Sequence, residues 1–188
     1  YKAKTFTGER YTIWTMQSAY HNLPTINGVM EKEGNQYAAR DVQYQSWKDS
    51  VLFSLDIAGA FPQEAHVEKW VRSIKMDRTK GEVSVTEDYV LDAAAKDLTL
   101  TLMTSGRILR TEADRLVVRV RKGEEGHQPS DVEIRFEPDK LKPTVETIRI
   151  EDEELRAEWG IDLQRIVLKA RNPQQQDKLR VSFHTSTK

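Results

Sequence analysis

The chain has 188 residues, 38% of them hydrophobic and 31% charged, which supplies the core of one large domain and a well-solvated surface. Its 29 Lys and Arg against 30 Asp and Glu leave a formal charge of −1, which argues against a general nucleic-acid binder. There is no cysteine, so disulfides, thiolate metal sites and a cysteine nucleophile are excluded, and no apolar run nears the roughly 18 residues of a membrane span.

Taken in chain order, the periodicity is that of strands. Tyr11 to Met16 is rich in aromatic and β-branched residues and reads as the first. Leu23 to Ile26 follows, closed by Asn27-Gly28, a pair suited to the positive φ angles of a type I′ turn. Further runs are Val51–Ile57, Val67–Met76, Val83–Val85 and Leu98–Met103. Beyond them come Leu116–Arg121, Val132–Phe136, Val145–Ile150, Ile166–Ala170 and Leu179–Phe183. Lys80-Gly81, Ser105-Gly106, Lys122-Gly123, Gly126 and Asn172-Pro173 mark turns between them. Helix is scarce: Glu151 to Trp159, ending at Gly160, predicts two turns, Pro62 to His66 one, and Glu87–Leu91 is ambiguous. About a dozen short strands predict an all-β fold, a large antiparallel β-sandwich with one or two short helices over residues 1–188. Arg119 and Arg121 beside Val117, and Arg149 on the Val145 strand, read as charges protecting exposed edges. Because the sequence opens on Tyr1, with neither Met nor a leader, it is read as one domain of a longer protein.

Special residues concentrate between Met16 and Gly28. His21, flanked by Tyr20 and Asn22 at the start of a strand, is placed where a rigid scaffold aims an imidazole into a cleft. The competing reading is a hydrogen-bonded structural histidine. His66, His127 and His184 fall in connections or near the C-terminus and are read as solvated. Trp14, Trp47, Trp70 and Trp159 offer faces for sugar stacking, against the commoner role of core residues. Tyr20 is the best cleft-facing candidate among Tyr11, Tyr20, Tyr37 and Tyr44. Arg40, Lys48 and Arg72 are candidates to pair with acidic groups of a polysaccharide, and Arg72 has a structural alternative in a carboxylate such as Asp56. Phosphate loops, nucleophile elbows and H-E-x-x-H helices are absent from the sequence.

The stretch Tyr20-His21-Asn22-Leu23-Pro24-Thr25-Ile26-Asn27-Gly28-Val29-Met30 resembles the HN-x-x-x-(I/V)-(D/N)-G-x-x-Q motif of the heparinase II/III-like polysaccharide lyases, with Glu31 where many relatives have Gln. Tyr37–Arg40, Phe53-Ser54-Leu55-Asp56-Ile57-Ala58-Gly59-Ala60-Phe61-Pro62 and Trp70-Val71-Arg72-Ser73 resemble later segments of that family, and the likeness runs on through Trp159-Gly160. The resemblance implies a supersandwich-like domain that follows an α-helical toroid, with a cleft between them. The reaction implied is β-elimination on a uronic-acid-containing, acidic polysaccharide by a periplasmic or secreted bacterial protein. It also implies that His21 is one ligand of a zinc site whose H-x-H-x-D portion lies upstream, since no H-x-H occurs in this chain. One imidazole does not hold zinc alone, so no cofactor is expected in these residues by themselves. Tyr20 and Asn22 are then cleft-lining, and Arg40 and Lys48 substrate-facing. The alternatives are a carbohydrate-binding module without chemistry and a purely structural domain.

Overall fold

A computed structural model of the protein describes residues 3–120 and 130–186. It forms two antiparallel sheets. The strands are β1 (Pro24–Ile26), β2 (Arg40–Ser46), β3 (Ser50–Asp56), β4 (Val67–Asp77), β5 (Glu82–Leu91) and β6 (Leu98–Thr104), then β7 (Arg107–Thr111), β8 (Arg115–Arg119), β9 (Asp131–Phe136), β10 (Leu141–Arg149), β11 (Asp162–Ala170) and β12 (Gln176–Ser186). One α-helix, α1 (Glu153–Trp159), joins β10 to β11. The four-stranded sheet has the order β1-β6-β11-β10 and the eight-stranded sheet β2-β3-β4-β5-β12-β9-β8-β7. The all-β sandwich expected from the sequence is what the chain adopts.

The core lies where the smaller sheet covers the larger one. Leu98, Leu100, Ile166 and Leu168 of the small sheet meet Leu116, Ile134, Leu179 and Val181 of the large one, all buried. Trp70 and Tyr89 stack at 4.9 Å between ring centres inside this core. A single row of the large sheet shows the mismatch in width: Tyr44, Phe53, Ile74, Val85, Val181 and Phe136 sit side by side across six strands. Phe136 and Val181 are buried, Phe53 is half-buried, and Tyr44 on the edge strand is 66% exposed.

Several expectations need correction. Tyr11–Met16 is not a strand: it belongs to a chain of short 3-10 turns, Gly8–Thr12 and Trp14–Met16 among them. Local polar bonds explain this, because Thr12 Oγ1 donates to the Glu9 carbonyl and Gln17 Nε2 to the Tyr11 carbonyl, so the backbone is satisfied without a neighbouring strand. The ambiguous Glu87–Leu91 is strand, the second half of β5. β2 and β7 were not expected; each is an edge strand, and β2 is exposed along its whole length, so neither shows the alternation that burial imposes. β8 lies inside the sheet, where Arg119 pairs with Asp131 of β9 rather than guarding an edge, whereas β10 is an edge as read. The Lys122-Gly123 and Gly126 turn signals, Arg121 and His127 lie outside the described residues.

Candidate functional site

The segment carrying His21 is fixed from both sheets. It leaves the 3-10 turn Ser18–Tyr20, turns extended at His21 and enters β1. β1 ends in the turn at Asn27 and Gly28, whose φ angles of 52° and 77° are the positive values the sequence calls for. Val29 N–H closes the turn on the Ile26 carbonyl at 2.8 Å, and the Asn27 side-chain oxygen accepts from the backbone N–H groups of Lys96 and Asp97. Asn22 Oδ1 accepts from Met103 N–H of β6 at 2.8 Å. From the large sheet, Arg72 Nη1 of β4 donates to the Asn22 carbonyl at 2.7 Å.

A cleft of about 450 Å³ opens beside this segment. Tyr20, His21 and Asn22 line it together with Trp14, Leu155 and Trp159, above Met103 and Leu163 of the small sheet. Alternation along β6 and β11 puts Met103 and Leu163 on the face of the small sheet turned away from the core residues Leu102 and Ile166. Helix α1 forms the far wall. Asp152 caps it, accepting from Glu154 and Leu155 N–H, and Gly160 ends it with φ 86°, so Leu155 and Trp159, four residues apart, share the face turned to the cleft.

The aromatic lining is itself ordered. Trp14 and Tyr20 meet edge to face at 5.2 Å, and the Arg165 guanidinium lies over the Tyr20 ring at 5.0 Å while its Nη1 pairs with Glu146. Arg165 Nε also donates to the Ala19 carbonyl. No sequence signal singles out Arg165; it reaches the site because β11 runs beneath Tyr20. The His21 imidazole stands 3.1 Å from the Thr15 carbonyl through Nε2. A carbonyl only accepts, so Nε2 carries a proton; in the neutral ring Nδ1 then keeps its lone pair, the arrangement that orients ligating and acid–base histidines. Among the cleft residues named here, His21 is the one side chain of the type that binds zinc. A zinc ion takes about four ligands, so these residues do not fit the metal by themselves.

Glu31, at the motif position where the resemblance has Gln, sits close behind the cleft with its N–H on Ser18 Oγ at 3.0 Å. Burial pushes its carboxyl above its ordinary value, against the pull of nearby Arg72 and His21.

The other sequence candidates fall elsewhere. Arg40 pairs with Asp56 at 3.2 Å, and Lys48 lies in the turn after β2 at the opposite end of that strand, so the two are not brought to the cleft or to each other. Arg72 pairs with Glu87 at 2.6 Å, not with Asp56, because Glu87 stands opposite it in the β4–β5 register. Of the tryptophans, Trp14 and Trp159 line the cleft, Trp70 is core, and Trp47 is exposed beside the β2–β3 turn. His66, with φ 56°, pairs with Asp92, and His184 lies near Glu82 and Ser182.

Fold and site together define a two-sheet antiparallel sandwich with an aromatic cleft on the outer side of its smaller sheet. No family model and no curated protein matches the sequence. Solved structures do share the fold. The heparan sulfate lyase HepC of Pedobacter heparinus aligns at a TM-score of 0.65 and 12% identity over 92% of this chain, and a mutant of it at 0.66 over 96%. A heparinase III aligns at 0.64 and 13% identity over 97%. The chain spans only about a quarter of the length of these lyases, 25% to 27%. At such identity the likeness establishes the sandwich fold they have in common. No helix among the described residues is long and apolar enough to cross a membrane.

Proposed function

We propose that this chain is the β-sandwich portion of a heparinase II/III-like polysaccharide lyase, and that the cleft at His21 forms one wall of its substrate groove. The observation that carries the reading is the gathering of Tyr20, His21 and Asn22 with Trp14 and Trp159 in one cleft. Indole and phenol faces stack on the apolar faces of sugar rings, and polar groups at their rim fix orientation. In β-elimination on a uronic acid, a base takes the C5 proton, the C4–O bond breaks, a C4–C5 double bond forms, and an acid protonates the departing oxygen. His21 contributes an oriented imidazole with Nδ1 directed away from Thr15, Asn22 holds that segment to β6, and Tyr20 lines the wall. The base and the leaving-group acid belong to an upstream α-helical toroid, in a periplasmic or secreted bacterial enzyme.

Heparan sulfate oligosaccharides titrated into the chain are expected to change its tryptophan fluorescence, and Trp159→Ala to weaken binding at least tenfold. In the longest natural form of the protein, the ultraviolet absorbance of an unsaturated uronate should rise with turnover and be lost in His21→Ala. Failure of every uronic polysaccharide to yield unsaturated product would overturn the lyase reading. Binding without elimination would assign the cleft to carbohydrate recognition alone, the role favoured by its predominance of aromatic and aliphatic walls.

A further inference from the structure

The geometry points to Arg72 as the positioning residue of the His21 segment, held for that task by a buried carboxylate, Glu87. This deepens the reading of the cleft as a polysaccharide site, but it stands on contacts that involve no saccharide. Glu87 has 3% of its side chain exposed and Arg72 12%, so the pair is nearly removed from water, charged groups on the core face of the large sheet. A buried carboxylate needs its lone pairs filled, and they are: Arg72 Nε and Nη2 both reach Oε1, at 2.8 and 2.6 Å, while Trp70 Nε1 donates to Oε2 at 2.6 Å. These bonds fix the guanidinium plane. The remaining arm, Nη1, points out of the sheet and donates to the Asn22 carbonyl, 50 residues earlier in the chain.

Buried ion pairs can often be replaced by apolar residues of like volume without loss of stability, so the role assigned to this one rests on what its free arm holds. What it holds is the short extended stretch that leads from the Ser18–Tyr20 turn into β1. The Asn22 side chain is tied to β6 through Met103 N–H, and Leu23 through its carbonyl to Thr101 N–H. Those bonds anchor the segment to the small sheet only. The Arg72 bond is the tie from the large sheet to the residue next to His21, and together with the Leu23 N–H donated to the His21 carbonyl at 2.8 Å it sets the rotation of the peptide between Asn22 and Leu23. With it in place, the imidazole reaches the Thr15 carbonyl and keeps the proton on Nε2. The chain thus converts a charge pair inside the sandwich into a defined tautomer at its surface.

The test is nitrogen NMR of the imidazole rings in the intact chain, with His21→Gln used to assign the His21 signals. Arg72→Gln/Glu87→Gln removes both charges, keeps an acceptor for Trp70, and is too short to reach Asn22. Arg72→Lys keeps the charge opposite Glu87 but lacks the second arm. Leu116→Ala, a core truncation on β8, serves as a control that lowers stability away from the relay. Expected is a His21 ring that exchanges between both tautomers in the two relay variants, with at least tenfold faster amide exchange at Met103, and a wild-type His21 signal in Leu116→Ala. A folded relay variant with unchanged His21 tautomer and Met103 exchange would overturn the inference; so would the same change in Leu116→Ala. If the double variant does not fold, Arg72→Lys decides alone. If the relay behaves as expected while no oligosaccharide binds, the polysaccharide reading fails and the positioning role stands.

Discussion

Asp56 is the residue whose removal should unsettle this fold most for its size. It ends β3 with a nearly buried side chain. Its Oδ1 accepts the backbone N–H groups of Ala58 and Trp70, each at 3.0 Å, and its Oδ2 accepts from Arg40 Nε at 3.2 Å. Ala58 and Trp70 are both buried, so Asp56→Ala leaves two buried donors unsatisfied, at about 1–3 kcal/mol each. The Arg40 partner is 58% exposed and adds little, under about 1 kcal/mol. The expected loss is therefore about 2–6 kcal/mol, or a fall in Tm of roughly 4–24 °C for a chain of this size. Asp56→Asn keeps Oδ1 in place and should cost only about 1 kcal/mol. Burial alone would raise the carboxyl; the two N–H bonds and Arg40 outweigh it and hold the carboxyl below its ordinary value. A lowered carboxylate contributes stability that is present above its unfolded pKa and is lost as pH falls through the folded one. Wild-type stability should therefore drop in that acid window, and Asp56→Asn should show a shallower drop. Urea unfolding followed by tryptophan fluorescence between pH 7 and about pH 2 reads all of this. Equal losses in the Ala and Asn variants, or a loss in Asp56→Ala below about 1 kcal/mol, would refute the assignment of the two backbone bonds.

Three shorter expectations follow from the same structure. Glu31→Gln should raise Tm at pH 7 and lose that advantage near pH 4, because the wild-type carboxyl, raised by burial, stabilises the fold only as it takes up a proton; no difference at pH 7 would count against its burial. Asn27→Ala gives up both the positive-φ preference and the acceptor for Lys96 and Asp97 N–H, and should cost about 1–3 kcal/mol by denaturant unfolding, with Asn27→Gly less affected in the turn than in the acceptor. Trp70→Phe removes the donor to Glu87 Oε2 and should cost about 1.5–3 kcal/mol, with loss of the stacked-indole near-ultraviolet dichroism as its spectroscopic check.

The sequence by itself determined the fold class, because strands whose residues meet the core on one face carry their burial as a period of two. β4, β6, β9 and β12 are legible for that reason, β3 as a short apolar run, and so are the Asn27-Gly28 turn and the helix ending at Gly160, where one backbone angle selects one residue type. Tyr20, His21 and Asn22 stood out as a cluster of chemistry-bearing side chains in a short stretch. What only the tertiary structure decided is what stands beside them. Trp14 and Trp159 are 145 residues apart and meet at the cleft because a string of 3-10 turns and helix α1 both fold over the outer face of the small sheet. Glu87 rather than Asp56 faces Arg72 because the β4–β5 register places it there, and Arg40 takes Asp56 instead. Such pairings depend on strand order and register, long-range choices that leave no period in the local sequence, since each partner alone reads as an ordinary surface charge.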